Sequence, residues 1–165
     1  MKRTTSVCSL FLVLAIAAMA AAADSPGTKT VPRVILGAME GRFDFAGPET
    51  GPWTTTGNVT GTLRHLGLAK MTTTHTAAPD GTISGGEFTI VAANGDEILG
   101  SYTASGAWSS DYTQVLGSAA FTVEGGTGRF AHATGDITAA FLETFDDPTF
   151  YSARVNWTLQ GTVRY

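Results

Sequence analysis

The chain is predicted to fold as an all-β, eight-stranded antiparallel closed barrel. Apolar and polar residues alternate with a period of two through most of the chain after residue 32, which is typical of strands. No apolar pattern with a period of 3.6 residues and of useful length follows that point. Glycines recur inside the alternating runs, where they permit the bending that a small barrel demands. A two-sheet sandwich is the alternative, but barrel closure removes exposed edges and is favoured.

Residues 1–23 are predicted to be an export signal. Lys2 and Arg3 precede a short apolar run (LFLVLAIAA, residues 10–18) and a small-residue cleavage site at residues 21–23. The alternative is a membrane anchor, but the apolar run is shorter than the ~20 residues that a spanning helix needs. We therefore expect a secreted or periplasmic protein with a flexible lead-in over 24–32 and a single barrel domain over 33–165.

The charge limits the classes of binding partner that we expect, and the cysteine content indicates whether a disulfide forms. The formal net charge is −4 at pH 7, and it becomes more negative once Lys2 and Arg3 are removed. No basic run occurs, so we expect neither nucleic acid nor, after signal cleavage, a membrane as a partner. The one cysteine, Cys8, lies in the predicted signal, so the exported chain has no disulfide.

The first half of the barrel is predicted to hold four strands. Alternation marks residues 33–45, 58–66, 68–77 and 83–92 as strands. Residues 47–57, which contain Pro48 and Pro52, predict a loop between the first two. Pro79, Asp80 and Gly81 predict a tight turn before the fourth strand, because Pro fixes φ and the other two accept tight geometry.

The second half is predicted to hold strands over residues 97–105, 112–124, 136–145 and 150–165. Asn94 and Gly95 predict a hairpin between the fourth and fifth strands through a type I′ turn. Pro148 separates the last two strands. All four runs continue the period-two pattern, so they complete a sheet of eight strands.

Each run has one apolar face, which we expect to turn inward, and one polar face, as an antiparallel sheet with one wet side requires. In the last run the apolar side carries Tyr151, Ala153, Val155, Trp157, Leu159 and Val163. The corresponding sets in other runs are Ile35, Met39, Phe43 and Phe45; Phe88, Ile90 and Ala92; Ile98, Tyr102 and Ala104; Gly117, Ala119, Phe121 and Val123; and Ile137, Ala139, Phe141, Glu143 and Phe145.

Residues 121–135 (FTVEGGTGRFAHATG) begin as a strand and continue into a glycine-rich segment. Gly125, Gly126 and Gly128 accept positive φ, and Arg129-Phe130 begins a single helical turn or tight loop. The segment lacks the Lys-Ser/Thr of a phosphate-binding loop and does not open a long helix. It is therefore interpreted as a structural turn that closes the barrel, with Arg129 at the surface or in a salt bridge.

This glycine-rich segment resembles the signature of the allene oxide cyclase and dirigent superfamily, above all its exported bacterial members. Residues 62–67 (TLRHLG) resemble the THLG element of those proteins, with Arg64 where Thr is usual, and residues 92–96 resemble their AANGD hairpin. The resemblance implies a calycin-like antiparallel barrel with a cavity, and a homo-oligomer as in plant relatives. It does not imply their activities, because motifs of this kind maintain the fold.

Glu143 is the acidic residue of most interest, since it shares the apolar face of its run. Inside a barrel, desolvation would raise its pKa and make it a weak candidate for a general acid or a ligand anchor. A bulge, a register error or a place at the barrel mouth would instead turn it outward. On the same logic His65 and His75 are candidate cavity residues. The aromatic candidates, which could stack on a ligand or simply fill the core, are Tyr102, Phe121, Phe141 and Trp157.

Metal and nucleophile chemistry are not expected. The histidines are His65, His75 and His132, and a hairpin turning about Gly67 would leave the first two ~17 Å apart. No H-E-x-x-H or G-x-S-x-G pattern occurs, so neither a metal, nor another cofactor, nor hydrolase activity is predicted.

Two functions remain open at this point, together with the third possibility of a self-associating coat component. The first is an exported, non-catalytic barrel that binds a small hydrophobic ligand or serves as an accessory protein. The second is a cyclase- or isomerase-type enzyme, or a dirigent-like protein that steers a reactive intermediate, with Glu143 in the acid/base role.

Overall fold

The computed structural model describes residues 31–146 and 151–165, which form a closed barrel of eight antiparallel strands. Each strand pairs with its neighbours along the chain, and the last pairs with the first. The barrel prediction is confirmed. The predicted export signal, most of the lead-in and residue 150 lie outside the described residues. The strands are β1 (Pro32–Ala46), β2 (Trp53–Leu63), β3 (Gly67–Ala77), β4 (Thr82–Val91), β5 (Glu97–Trp108), β6 (Gln114–Gly126), β7 (Thr134–Thr144) and β8 (Ser152–Arg164).

The interior is built from the inward residues of all eight strands, and nearly all the predicted apolar faces are buried there. Phe45, Ala104 and Phe145 are half-buried and pack against this core. Tyr151 is the exception among the predicted inward residues, since it is 53 % exposed just before β8 begins.

The predicted loop over residues 47–57 is wrong in its second half, because β2 already begins at Trp53. Thr55 faces the interior and is fully buried. A Cβ on Gly57 would lie 2.1 Å from the ring of Phe43, so this glycine makes room for a core ring and does not mark a loop. The beginning of this strand was missed because its inward positions there hold Thr and Gly in place of large apolar residues.

The two ends of the barrel differ. At one end, which we call the mouth, lie the connections over residues 47–52, 78–81 and 109–113, together with residues 145–146 after β7 and residue 151 before β8. At the other, the closed end, lie the turns over 64–66, 92–96 and 127–133. Phe130 is fully buried at the closed end, and its ring centroid is 4.6 Å from that of Tyr165.

The glycine-rich segment builds this closed end, in agreement with its interpretation as a structural turn. A Cβ on Gly126 would lie 1.9 Å from a backbone oxygen of β5, and Gly128 has a φ of 54° against the Asp96 side chain. A single 3₁₀ turn over Gly128–Phe130 follows. The Arg129 guanidinium lies 4.6 Å from the centroid of the Phe130 ring, and its Nε is 3.7 Å from Asp96 Oδ2.

The hairpin at Asn94-Gly95 is confirmed, but its predicted turn type is wrong. A type I′ turn needs positive φ at both central residues, and only Gly95, with a φ of 88°, has it. Gly95 N–H donates to Ala92 O at 2.9 Å, and Ala92 N–H donates to Asp96 O at 2.9 Å. These bonds enclose a three-residue loop in which Gly95 holds the left-handed position of a bulge.

In the part of the chain that is described, no helix combines the length and the apolar character needed to cross a membrane.

Candidate functional site

A cavity of about 60 Å³ lies inside the mouth end of the barrel, and we call it the mouth pocket. Small residues (Ala77, Ala78, Gly81 and Gly106) leave the space on one side. Two ionisable side chains, His75 and Glu143, are among the described residues of its lining, and Lys and Arg are not. Most of the remaining wall is aromatic: Phe45, Trp53, Trp108, Phe141 and Phe145.

Three aromatic residues of the mouth pocket, Phe45, Trp108 and Phe145, contact one another and form a rim. The ring of Phe145 lies 5.5 Å from Phe45 and 5.0 Å from Trp108, measured between centroids. Beneath them Phe141 packs on Trp157 at 5.2 Å. The pocket is therefore a recess between packed aromatic rings.

Glu143 lies in the wall of this pocket, on β7 between Val115 of β6 and Val155 of β8. Its side chain is 6 % exposed. Within residues 31–146 and 151–165 it makes neither a hydrogen bond nor an ion pair. Burial raises the pKa of the Glu143 carboxyl to about 7, because removal of water penalises the charged form. The carboxyl therefore exchanges a proton near neutral pH.

His75 is the second ionisable group of the pocket, and it is held by a tyrosine. Its Nδ1 lies 2.5 Å from the Tyr102 hydroxyl, and the two rings meet edge to face at 5.8 Å. Burial lowers the pKa of His75 to about 4, so the imidazole is neutral at pH 7. Burial, and to a smaller extent the charge of Glu143, raises the pKa of Tyr102. The phenol therefore stays protonated and can donate to Nδ1.

Three more buried polar groups lie in the interior. Thr55 Oγ1 and Trp157 Nε1 have no hydrogen-bond partner among the described residues, and the Thr73 hydroxyl lies near the Tyr102 phenol, where a hydrogen bond between them opposes the rise in the pKa of Tyr102. Thr55 pairs with His75 across β2 and β3, and Thr73 precedes His75 by two residues on the same inward face. Buried polar groups in native proteins are rarely left unpaired. The polar residues therefore gather in one region of an otherwise apolar interior.

The structure brings together most of the predicted site residues. His75, Phe141 and Glu143 line the mouth pocket. Tyr102, Phe121 and Trp157 lie one layer deeper, with Phe121 at 4.9 Å from Tyr102 and 5.4 Å from Trp157. Their role toward a ligand stays a prediction.

His65 is the predicted cavity residue that the structure places elsewhere. The β2–β3 hairpin turns about His65, because Leu63 pairs with Gly67, whereas the prediction turned it about Gly67. His65 is exposed at the tip with a φ of 68°, and its carbonyl accepts a hydrogen bond from Arg129 Nη2 at 3.1 Å. It belongs to the closed end and does not line the cavity.

Trp53 and Trp108 line the pocket but were absent from the predicted site. Trp53 had been placed in a loop. Trp108 lies beyond the predicted end of the fifth strand, although the alternation of Ala104, Gly106 and Trp108 continues the inward face to that point.

The described residues hold no cluster of three or more His, Cys, Asp or Glu side chains that could bind a metal ion. His65 lies at the closed end of the barrel and His75 at the mouth.

A larger but shallower concavity, of about 650 Å³, lies on the outer wall of β5–β8. Small residues such as Ala107, Ser118 and Ala140 form it, and Leu116 borders it. None of the described residues along it is ionisable, so they provide no charged group that could bind a ligand.

The homo-oligomer implied by the resemblance stays a prediction, which light scattering over a concentration series can check.

No family model matches the chain, and no curated protein matches its sequence. Among solved structures it is similar to the pterocarpan synthase dirigent protein, with 11% sequence identity, a TM-score of 0.44, and coverage of 86% of this chain and 89% of that chain.

Proposed function

We propose that the protein is an exported, non-catalytic barrel that binds one small molecule in the mouth pocket. The observation that carries the proposal is the Glu143 carboxyl, buried and unpartnered among the described residues, in the wall of an aromatic cavity. A buried polar group without a partner destabilises a fold. Binding sites, in contrast, combine a mostly apolar concave wall with a few polar groups that orient the ligand.

The dimensions of the pocket define how such a ligand sits. A cavity of about 60 Å³ is far smaller than the roughly 300–1,000 Å³ of sites that enclose a whole ligand, so only the polar head group of the ligand enters. The apolar remainder lies against the rim formed by Phe45, Trp108 and Phe145, where flat rings offer a large contact area. The expected ligand is thus amphipathic, with a small head and a hydrophobic body.

A variant in which a larger side chain fills the mouth pocket tests whether a ligand binds there. Ala77→Phe fills the pocket from β3, and Thr76→Phe places the same ring on the outer wall of the same strand. Native mass spectrometry of protein taken from the producing cell should show a bound small molecule on the wild type and on Thr76→Phe, and none on Ala77→Phe. A wild-type barrel that carries nothing, and takes up nothing from a cell extract, would contradict the proposal.

The pKa of Glu143 favours a second candidate, an enzyme of cyclase or isomerase type or a protein that steers a reactive intermediate. A carboxyl with a pKa of about 7 is matched to proton transfer at neutral pH. Incubation of the barrel with the molecule found by mass spectrometry, followed by chromatography for an isomer of unchanged mass, tests this candidate. Glu143→Gln should then retain binding and lose conversion.

A further inference from the structure

We infer that the mouth pocket selects organic cations, and that the head group it takes is a primary ammonium held between the Glu143 carboxylate and the aromatic wall. The inference rests on the proposed function and names the chemical class of its ligand. It follows from the charge, the wall chemistry and the size of the pocket, which are independent observations.

The charge of the pocket is unbalanced. Glu143 is the acidic group among the described lining residues, and no Lys or Arg accompanies it. The titratable neighbours are His75 of β3, which is neutral at pH 7, and Tyr102 of β5, which is protonated. The strands on either side of Glu143 contribute Val115 and Val155. A desolvated carboxylate in these surroundings takes up either a proton or a cation, and an alkylammonium competes directly with the proton.

The wall of the pocket suits the same ligand. Aromatic rings carry negative charge on their faces and attract an ammonium group within about 6 Å of the ring centre. Five of the lining side chains are aromatic, and the ring of Phe145 packs against those of Phe45 and Trp108 at centroid distances of 5.5 and 5.0 Å, so the wall holds several rings close together. An anionic ligand would meet Glu143 with like charge. A neutral alcohol would gain neither the charge attraction to the Glu143 carboxylate nor the cation–π attraction to the rings.

The size of the pocket selects among cations. A volume of about 60 Å³ is far below the roughly 300–1,000 Å³ of sites that enclose a whole ligand, so the head group that enters is small, such as an ammonium nitrogen with its first methylene carbon. A quaternary head group is bulkier and, unlike a primary ammonium, has no N–H to donate to the Glu143 carboxylate. We therefore expect primary alkylammonium ions to bind more tightly than tetramethylammonium.

Calorimetric titration at pH 8 with butylammonium, and with butanol as its neutral counterpart, tests the inference. The wild type should bind butylammonium on the order of tenfold more tightly than butanol. Glu143→Gln should lose this preference. Glu87→Gln, which makes the same substitution on the outer face of β4, should retain it. Circular dichroism spectra that match the wild type show that each variant is folded.

A pH series adds a readout that a surface charge effect would not give. Because the cation needs the ionised carboxylate, the affinity for butylammonium should fall about tenfold for each pH unit below 7 in the wild type, and stay constant in Glu143→Gln. Equal binding of butanol, or a preference that survives in Glu143→Gln, overturns the cation inference. If butanol binds and Ala77→Phe abolishes that binding, the proposed function stands without it. If neither probe binds and no native ligand is found, both fall.

Discussion

Glu143 and His75 titrate inside the same barrel with opposite effects on stability. The pKa of Glu143 rises from 4.5 to about 7 on folding, so between these pH values the folded protein holds a proton that the unfolded chain has released. The free energy of unfolding therefore falls as the pH rises from 4.5 to 7. At about 1.4 kcal/mol for each pH unit, the loss reaches about 3 kcal/mol.

His75 acts in the other direction over almost the same range. Its pKa falls from 6.5 to about 4 on folding, so the unfolded chain binds a proton that the folded ring rejects. The free energy of unfolding therefore rises as the pH goes from 4 to 6.5, again by about 3 kcal/mol. In the wild type the contributions of Glu143 and His75 to the free energy of unfolding cancel within about 1 kcal/mol. A substitution of Glu143 leaves the contribution of His75 visible, and a substitution of His75 leaves that of Glu143.

Urea unfolding followed by tryptophan fluorescence, at steps from pH 4 to pH 8, measures both effects. In Glu143→Gln the free energy of unfolding should rise with pH by about 3 kcal/mol relative to the wild type, and in His75→Gln it should fall by about as much. Glu87→Gln, on the outer face of β4, should follow the wild type. Other titrating groups are common to all four proteins and cancel in the differences. Parallel curves for the wild type and Glu143→Gln would refute the reasoning, since they would show a Glu143 with an ordinary pKa.

Three further predictions concern the fold and use the same urea assay. Phe130→Ala should lower the free energy of unfolding by about 3–5 kcal/mol, because it removes a fully buried ring from the closed end; a smaller loss than about 1 kcal/mol would show that this end is not sealed by Phe130. Gly126→Ala should lower the free energy of unfolding by about 3 kcal/mol or more, because its Cβ would lie 1.9 Å from a backbone oxygen. Gly95→Ala should lower it by about 1 kcal/mol, because a Cβ there meets open space but the residue has a φ of 88°. Thr55→Val should be neutral or stabilise by up to about 1 kcal/mol, since it removes an unpaired buried hydroxyl; Thr56→Val, on the outer face, is its control.

The period-two alternation was sufficient to predict the barrel and to place Glu143 on the apolar face of its strand, although it left open whether a bulge or a place at the mouth would turn the carboxyl outward. Both depend on which face of a strand a residue occupies, and that is a local property of the sequence. The same pattern failed at Thr55 and Gly57, where the inward positions hold small or polar residues. The space beside Gly57 is filled by the ring of Phe43, which belongs to the neighbouring strand β1. A contact between two strands cannot be read from the alternation within one strand.

The pairing of His75 with Tyr102 could not be predicted in this way. It depends on the register of β3 and β5 through β4, which contains shifts near Thr74 and between Ile83 and Gly86. One residue of register changes which side chains meet at a given height of the barrel. The misplaced turn at His65 has the same origin, because a hairpin centre two residues earlier moves a histidine from a strand to the tip of a turn.

The distribution of buried polar residues distinguishes a site from imperfect packing. Thr55, Thr73, His75 and Glu143 are the buried polar residues of the described chain, and each lies on the mouth side of the midpoint of its strand. The closed half of the interior is apolar and sealed by Phe130. If this fold tolerated buried polar groups generally, they would occur in both halves. Their concentration around the mouth pocket means that the loss of stability is local, which is the distribution that the proposed function predicts.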